Sequence, residues 1–159
     1  MEFVKRYKIR DFDEYCQKNG FIPPAEIMGQ ELSLVLKGED YISIPLSIIE
    51  KMKQEKTERD KWDELYKNIS LLRLNAMQLE RTDTAAAITE YEYCIETGET
   101  STIPMFHAYH YAYERIIILL HKAKDYEKES TYIRQLLSHK ELSQKEIEKY
   151  TERLKKLKS

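Results

Sequence analysis

Residues 104–122, PMFHAYHYAYERIIILLHK, decide the fold of this chain. Pro104 suits the first turn of a helix, where a missing backbone N–H breaks no hydrogen bond. The segment from Ile116 to Leu120 is apolar at every position, so the end of this helix has to be covered on more than one side. A stack of helices provides that cover. The stripe expected to face the core consists of Met105, Tyr109, Ala112, Tyr113, Ile116 and Leu120.

Helical spacing continues on both sides of this segment. Upstream, apolar residues recur at intervals of three and four from Trp62 to Leu79, and one face carries a second stripe from Ala87 to Ile95. Downstream, two further stripes end at Leu137 and Leu157. Residues 48–159 are therefore predicted to form five helices. The fold class that follows is mainly α, an antiparallel helix-hairpin stack.

The expected helix boundaries coincide with residues that commonly end or begin helices. Asp83 and Asp125 are placed to cap the second and fourth of these helices, and Gly98 is expected to end the second. Ser143 and Glu146 have the spacing of a capping box, which predicts the start of the last helix.

Residues 1–47 differ in character and predict a small α+β segment packed on or linked to the helices. They contain three of the four glycines and three of the four prolines. ELSLVL (residues 31–36) and YISI (residues 41–44) flank a turn and are interpreted as the two short strands of a β-hairpin. A hairpin is marginal alone, so it would lie against the helices or against another strand such as MEFVKRYKI.

The charge-dense segment KMKQEKTERDK, residues 51–61, allows two interpretations. It contains no helix breaker, and Glu, Lys, Gln and Arg all favour helix, so it is predicted to belong to a long helix beginning near Pro45. The alternative is a linker.

Composition limits the class of protein. The 159 residues carry a net charge of -2, with 42% hydrophobic and 34% charged residues. Such a chain has no overall field to attract nucleic acid or an anionic membrane surface. The two cysteines suit a reducing compartment, and no apolar run approaches the roughly 18–20 residues of a membrane span. We therefore expect a cytoplasmic protein that does not enter a membrane.

Two helix pairs can be laid over each other, LLRLNAMQLERTDTAAAITEYEYCIE (residues 71–96) and YERIIILLHKAKDYEKESTYIRQLL (residues 113–137). In the first pair, the helix after the turn carries a small residue, an aromatic four positions later and a second small residue three positions after that. These residues are Ala87, Tyr91 and Cys94, with Leu71 and Leu74 in the helix before them.

Over about residues 69–137 the chain resembles the tetratricopeptide helical-repeat family. Asp125 and Tyr126 echo the pattern in the second pair, which departs from it in having Glu129 at the position of a small residue. Asp83 and Asp125 are also further apart than the family's period of roughly 34 residues. The resemblance implies a protein-binding or peptide-binding module whose first helices line a groove, with no catalytic residues. Two recognisable units are fewer than such a stack needs, so we expect the N-terminal segment, the last helix or a second copy of the chain, in a homodimer, to complete it.

One polar face of the third predicted helix is the main candidate site, and three interpretations of it stay open. It can be a partner-binding face, with Arg73 and Asn75 across the groove, or a polar face packed under the N-terminal segment. The third interpretation is a metal site formed by His107, His110 and Glu114, because imidazole and carboxylate groups at this spacing can converge on a cation. The residues proposed to bind a partner on this face are Tyr111, Glu114, Ile118 and His121.

Other functions receive less support. We find no catalytic motif and no cofactor motif, so an enzyme is not expected, and Cys94 lies on an apolar stripe as a packing residue. A nucleic-acid-associated regulatory accessory protein is the alternative function, and the basic cluster that would serve it is Arg153, Lys155, Lys156 and Lys158. These cations also suit a helix C-terminus, and no aromatic residues interleave with them as base stacking would require.

Overall fold

A computed structural model describes residues 2–158. Within them the chain forms seven helices, which make up 75% of it, and two strands. The predicted fold class, mainly α with a small N-terminal α+β segment, is confirmed. The elements are β1 (Val4–Lys8), α1 (Ile9–Asn19), α2 (Ala25–Leu36), β2 (Tyr41–Pro45), α3 (Leu46–Leu79), α4 (Thr84–Thr100), α5 (Phe106–Lys122), α6 (Tyr126–Leu137) and α7 (Gln144–Lys158).

The chain divides into two compact units between Asp63 and Glu64. This point lies inside α3, whereas composition placed the boundary at residues 47 and 48. The charge-dense residues 51–61 are helical throughout, so the helix interpretation of that segment is confirmed and the linker interpretation is wrong.

The N-terminal unit is built on a two-stranded antiparallel sheet. Val4 pairs with Pro45, and Lys8 with Tyr41. Side chains on β2 alternate between buried and exposed positions, as a sheet with one covered face requires. The sheet and its helices enclose a small apolar core whose buried members are Phe12, Cys16, Ile27, Ile42, Ile44, Ile49 and Met52.

The predicted strand ELSLVL is wrong, and with it the hairpin. Those residues form the second half of α2, which begins after Pro24 and ends at Leu36. A short apolar run cannot be assigned to strand or helix by its period alone, and α2, at 12 residues, has the length of a helix and not of a strand. The partner of β2 is β1, which comes from the segment MEFVKRYKI that was considered as an additional strand.

The C-terminal unit is a stack in which α4 packs on α5, α5 on α6, and α6 on α7. Short connections make consecutive helices antiparallel neighbours. The central helix is α5, and one apolar core surrounds it. Nine of its side chains are buried, at Phe106, Ala108, Tyr109, Ala112, Tyr113, Ile116, Ile117, Leu119 and Leu120.

The predicted helix caps are confirmed. Oδ1 of Asp83 accepts a hydrogen bond from the backbone N–H of Ala86 at 3.0 Å, and Asp125 caps α6 in the same way. At the start of α7, Oγ of Ser143 accepts from the backbone N–H of Glu146 at 3.2 Å, and the Glu146 carboxylate accepts from the Ser143 N–H at 3.3 Å. This is the reciprocal capping box that the sequence predicted.

The sequence suggested that Gly98 ends α4, but that helix continues to Thr100. The role of Gly98 is close packing. A Cβ added at Gly98 would lie 2.2 Å from Cδ1 of Tyr109, which is itself buried in the core. The missing side chain therefore allows the aromatic ring of α5 to lie directly on the backbone of α4.

Gly98→Ala should lower the free energy of unfolding by about 1–3 kcal/mol, since the buried Tyr109 ring has no free space to move into. Urea denaturation followed by circular dichroism measures this. Gly29→Ala is the matched control. Among the described residues nothing lies within 4 Å of the added Cβ in α2, so the substitution should stabilise the protein by about 0.5–1 kcal/mol. Equal effects of the two substitutions would contradict the packing role of Gly98.

Candidate binding surfaces of the helical unit

An open groove of about 620 Å³ lies between α3 and α4. Leu71, which lines the groove on the α3 side, is 55% exposed. Leu74, about one turn further along α3 and outside the lining, is 50% exposed. Leucines this exposed, with polar groups around them, have the mixed character of a surface that docks another chain. The residues that line the groove are Asn68, Leu71, Leu72, Asn75, Glu90 and Thr97.

The exposure of Leu71 and Leu74 follows from which face of α3 the core uses. Ile69 and Ala76 are fully buried, and Leu72 and Leu79 pack against the core cluster. Leu71 and Leu74 lie beside this stripe on the helix surface and are apolar residues that the core does not need. The sequence already indicated that the two leucines are exposed, because both fall outside the spacing of the core-facing residues.

Asn75 and Arg73 were predicted to face the same groove, but their side chains make different contacts. Nδ2 of Asn75 donates to Oε2 of Glu90 at 2.9 Å, so Asn75 connects the two walls of the groove. Nη1 of Arg73 donates to the carbonyl oxygen of Ala108 at 3.2 Å and joins α3 to the first turns of α5. Glu90 is therefore a groove residue that the sequence did not indicate.

The polar face of α5 is divided among three separate acidic partners. The first is Glu80, just after α3. Nε of Arg115 lies 3.2 Å from each of its carboxylate oxygens, and the hydroxyl of Tyr91 donates to it. Tyr111 is exposed and contributes to the rise in the pKa of Tyr91, which bonds to this carboxylate. Glu80 thus ties the end of α3 to α4 and α5.

This environment changes the acidity of the groups involved. Burial alone would raise the pKa of Glu80, but hydrogen bonds from Arg115 and Tyr91 lower it below its ordinary value of 4.5. The pKa of Tyr91 is raised, first by burial and then by its hydrogen bond to that carboxylate. The ionised form of Glu80 is therefore the form that the fold stabilises.

The second acidic partner is Glu146 in the capping box of α7. Nε2 of His110 lies 2.7 Å from Oε2 of Glu146 and 3.5 Å from Oε1 of Glu114. The sequence grouped His107 with His110 and Glu114, but the His107 ring stacks near Tyr66, with ring centroids 6.3 Å apart. The three-residue cluster of possible metal ligands is thus His110, Glu114 and Glu146, and the described residues contain no other such cluster.

The third acidic partner is Glu129 in α6, whose side chain is 0% exposed. Its carboxylate lies 2.8 Å from Nδ1 of His121 and accepts from Nε of Arg153 at 2.8 Å. His121 and Arg153 also line a surface pocket of about 580 Å³ against α7. Ile118, the remaining predicted face residue, is half-buried.

The predicted residues on α5 are not among those that line the α3–α4 groove. Glu114 lies by Glu146, His121 pairs with Glu129, and Tyr111 affects the Tyr91 hydroxyl electrostatically. Their role in binding a partner stays a prediction. Only Asn75 of the predicted residues lines the α3–α4 groove.

Two further predictions concern Cys94 and membrane spans. Cys94 is fully buried and its thiol donates to the carbonyl oxygen of Ile69 at 3.6 Å, which confirms it as a packing residue. Burial raises its pKa to about 11.

Across residues 2–158, no helix combines the length and the apolar character needed to cross a bilayer.

Comparison with protein-family models, curated proteins and solved structures finds no match to this chain. The resemblance to the tetratricopeptide family consequently stays a prediction from the residues.

Glu80→Gln should destabilise the protein at pH 7 by about 1–3 kcal/mol, because Arg115 and Tyr91 lose a charged partner. A lowered carboxyl pKa stabilises the fold above the ordinary value, and that stability is lost as the pH falls through the folded-state pKa. The difference between wild type and variant should therefore shrink below pH 4.5. Urea titrations between pH 3 and pH 7 measure it. Glu64→Gln, on an exposed part of α3, should show little effect, and a Glu80→Gln deficit that is independent of pH would contradict the assignment.

Proposed function

We propose that this protein is a peptide-binding or protein-binding module, and that the α3–α4 groove is its recognition surface. The observation that supports this proposal is the half-exposed Leu71 in the lining of a groove whose walls are joined by Asn75 and Glu90. Leu74, half-exposed on the same helix, lies outside that lining and extends the apolar surface. No other partner class is favoured by these groups.

The leucines supply affinity. Full burial of a leucine side chain is worth about 1.5–3 kcal/mol, so covering the exposed halves of Leu71 and Leu74 is worth roughly 1 kcal/mol each. That is a modest contribution, consistent with a peptide that anchors one or two apolar side chains in the groove. Hydrogen bonds would have to supply the remaining affinity and the orientation.

The polar groups suit a peptide backbone. The Asn75 amide offers a carbonyl acceptor and a second N–H besides the one bonded to Glu90, and the Glu90 carboxylate has further acceptor capacity. The negative charge of Glu90 also favours a peptide with a nearby lysine or arginine. The proposed ligand is therefore a short segment with apolar anchors and a basic neighbour.

The resemblance to the tetratricopeptide family agrees with this proposal, because in that family the first helices of the repeats line the binding groove. The residues concerned here belong to α3, the first helix of the better-matching pair. The proposal differs from the sequence prediction in its location, which moves from the α5 face to the α3–α4 groove.

Selection from a random peptide library against the immobilised full chain tests the proposal. Enriched peptides should contain apolar anchors next to a basic residue, and Leu71→Lys should weaken their binding at least tenfold, measured by fluorescence polarisation. Tyr126→Lys, at an exposed position in α6, is the matched control and should leave binding unchanged. A library that yields no binder, or binders indifferent to Leu71→Lys, would refute the groove assignment.

A second copy of the chain is the competing occupant of the groove. Light scattering over a concentration series distinguishes it, because a dimer that dissociates in Leu71→Lys would assign the groove to self-association and not to a peptide.

A further inference from the structure

His110, Glu114 and Glu146 form a cluster that the proposed binding function does not use. One potential ligand atom from each, a ring nitrogen or a carboxylate oxygen, lies within 4.8 Å of the other two. His110 and Glu114 are four residues apart on α5, the spacing at which two side chains of one helix can share a metal ion. Glu146 comes from the first turn of α7.

The closest approach in this cluster is not an ordinary hydrogen bond. Nε2 of His110 and Oε2 of Glu146 are 2.7 Å apart and closed off from solvent. Among the described residues, neither atom makes a hydrogen bond of normal geometry. The contact is an ion pair of poor hydrogen-bond geometry, and a cation placed between the two atoms would give each of them a better partner.

The surroundings hold two of these side chains in place. Oε1 of Glu146 accepts hydrogen bonds from Oγ of Ser143 at 3.0 Å and from its N–H, which leaves Oε2 directed to His110. The ring of Phe106 packs against the His110 imidazole with centroids 4.9 Å apart. Such supporting contacts around ligands are what orient a metal site.

We propose that His110, Glu114 and Glu146 bind a divalent first-row transition metal ion, with Zn²⁺ as the representative case. One imidazole and two carboxylates suit such an ion better than Mg²⁺ or Ca²⁺, which prefer oxygen ligands alone. Three protein ligands leave at least one coordination position for water or for an atom of a bound partner.

The distances need only small adjustments. Ligand atoms around tetrahedral Zn²⁺ with bonds of 2.0–2.2 Å stand about 3.3 Å apart. The 3.5 Å between His110 and Glu114 already fits, while the 2.7 Å to Glu146 must open by about 0.6 Å. The oxygens of Glu114 and Glu146, which lie within 4.8 Å of each other, must reach a similar spacing. All three side chains are partly exposed, so rotations of the carboxylates can provide this movement.

Isothermal titration of the chelator-stripped, reduced full chain with ZnCl₂ tests the site. We expect one equivalent to bind and the midpoint of thermal unfolding to rise, since an ion bound only by the folded state stabilises it. Glu114→Gln and Glu146→Gln should each weaken Zn²⁺ binding at least tenfold. Glutamine also serves in a capping box, so Glu146→Gln keeps the start of α7.

His107→Gln is the matched control, because this histidine lies on the same helix and outside the cluster, and it should leave Zn²⁺ affinity unchanged. A tenfold excess of MgCl₂ should not displace the zinc. The proposal is overturned if the wild type binds no zinc, or if the two glutamine variants bind it as tightly as the wild type. Should Glu146→Gln fail to fold by circular dichroism, Glu114→Gln alone decides, since its side chain is 40% exposed.

Discussion

The burial of α5 is the constraint on which the helical unit depends. A helix with nine buried side chains cannot be covered by a single neighbour, so α4 and α6 lie against it and the core extends to α3 and α7. Its buried tyrosines add a second requirement, because a buried hydroxyl needs a partner. The hydroxyl of Tyr113 meets it by donating to Glu99, and Tyr109 fits only because Gly98 has no side chain.

Local signals in the sequence were enough to predict most of this stack. Apolar spacing locates the helices, and Asp83, Asp125 and Ser143 act within a few residues of themselves, so their capping roles can be inferred without the fold. The N-terminal sheet is different. Its pairing of Val4 with Pro45 joins residues far apart in the chain, and no local pattern specifies such a register. Gly98 was misinterpreted for a similar reason, since its role depends on a ring in the next helix.

The candidate sites were harder to predict than the helices, because their contacts depend on how separate elements pack. Helical spacing places His110, Glu114 and His121 on the outer part of α5, but His110 meets Glu146 of α7 and His121 meets Glu129 of α6. Glu146 could be recognised from the sequence only as a capping residue, and its approach to His110 depends on how α7 docks. The exposure of the groove residue Leu71 and of its neighbour Leu74 could be predicted, because both are apolar yet lie off the core stripe.

Glu129 occupies the position where the tetratricopeptide pattern has a small residue, and its carboxylate is completely buried. The bond to Arg153 favours one register of α7 against α6. Sliding α7 by one turn would move Arg153 by about 5.4 Å and leave a buried charge without its cation, at a cost of about 3–5 kcal/mol. Glu129, which departs from the repeat pattern, therefore fixes the alignment of α7. It makes the last helix specific to this stack, where a purely apolar contact would have accepted several alignments.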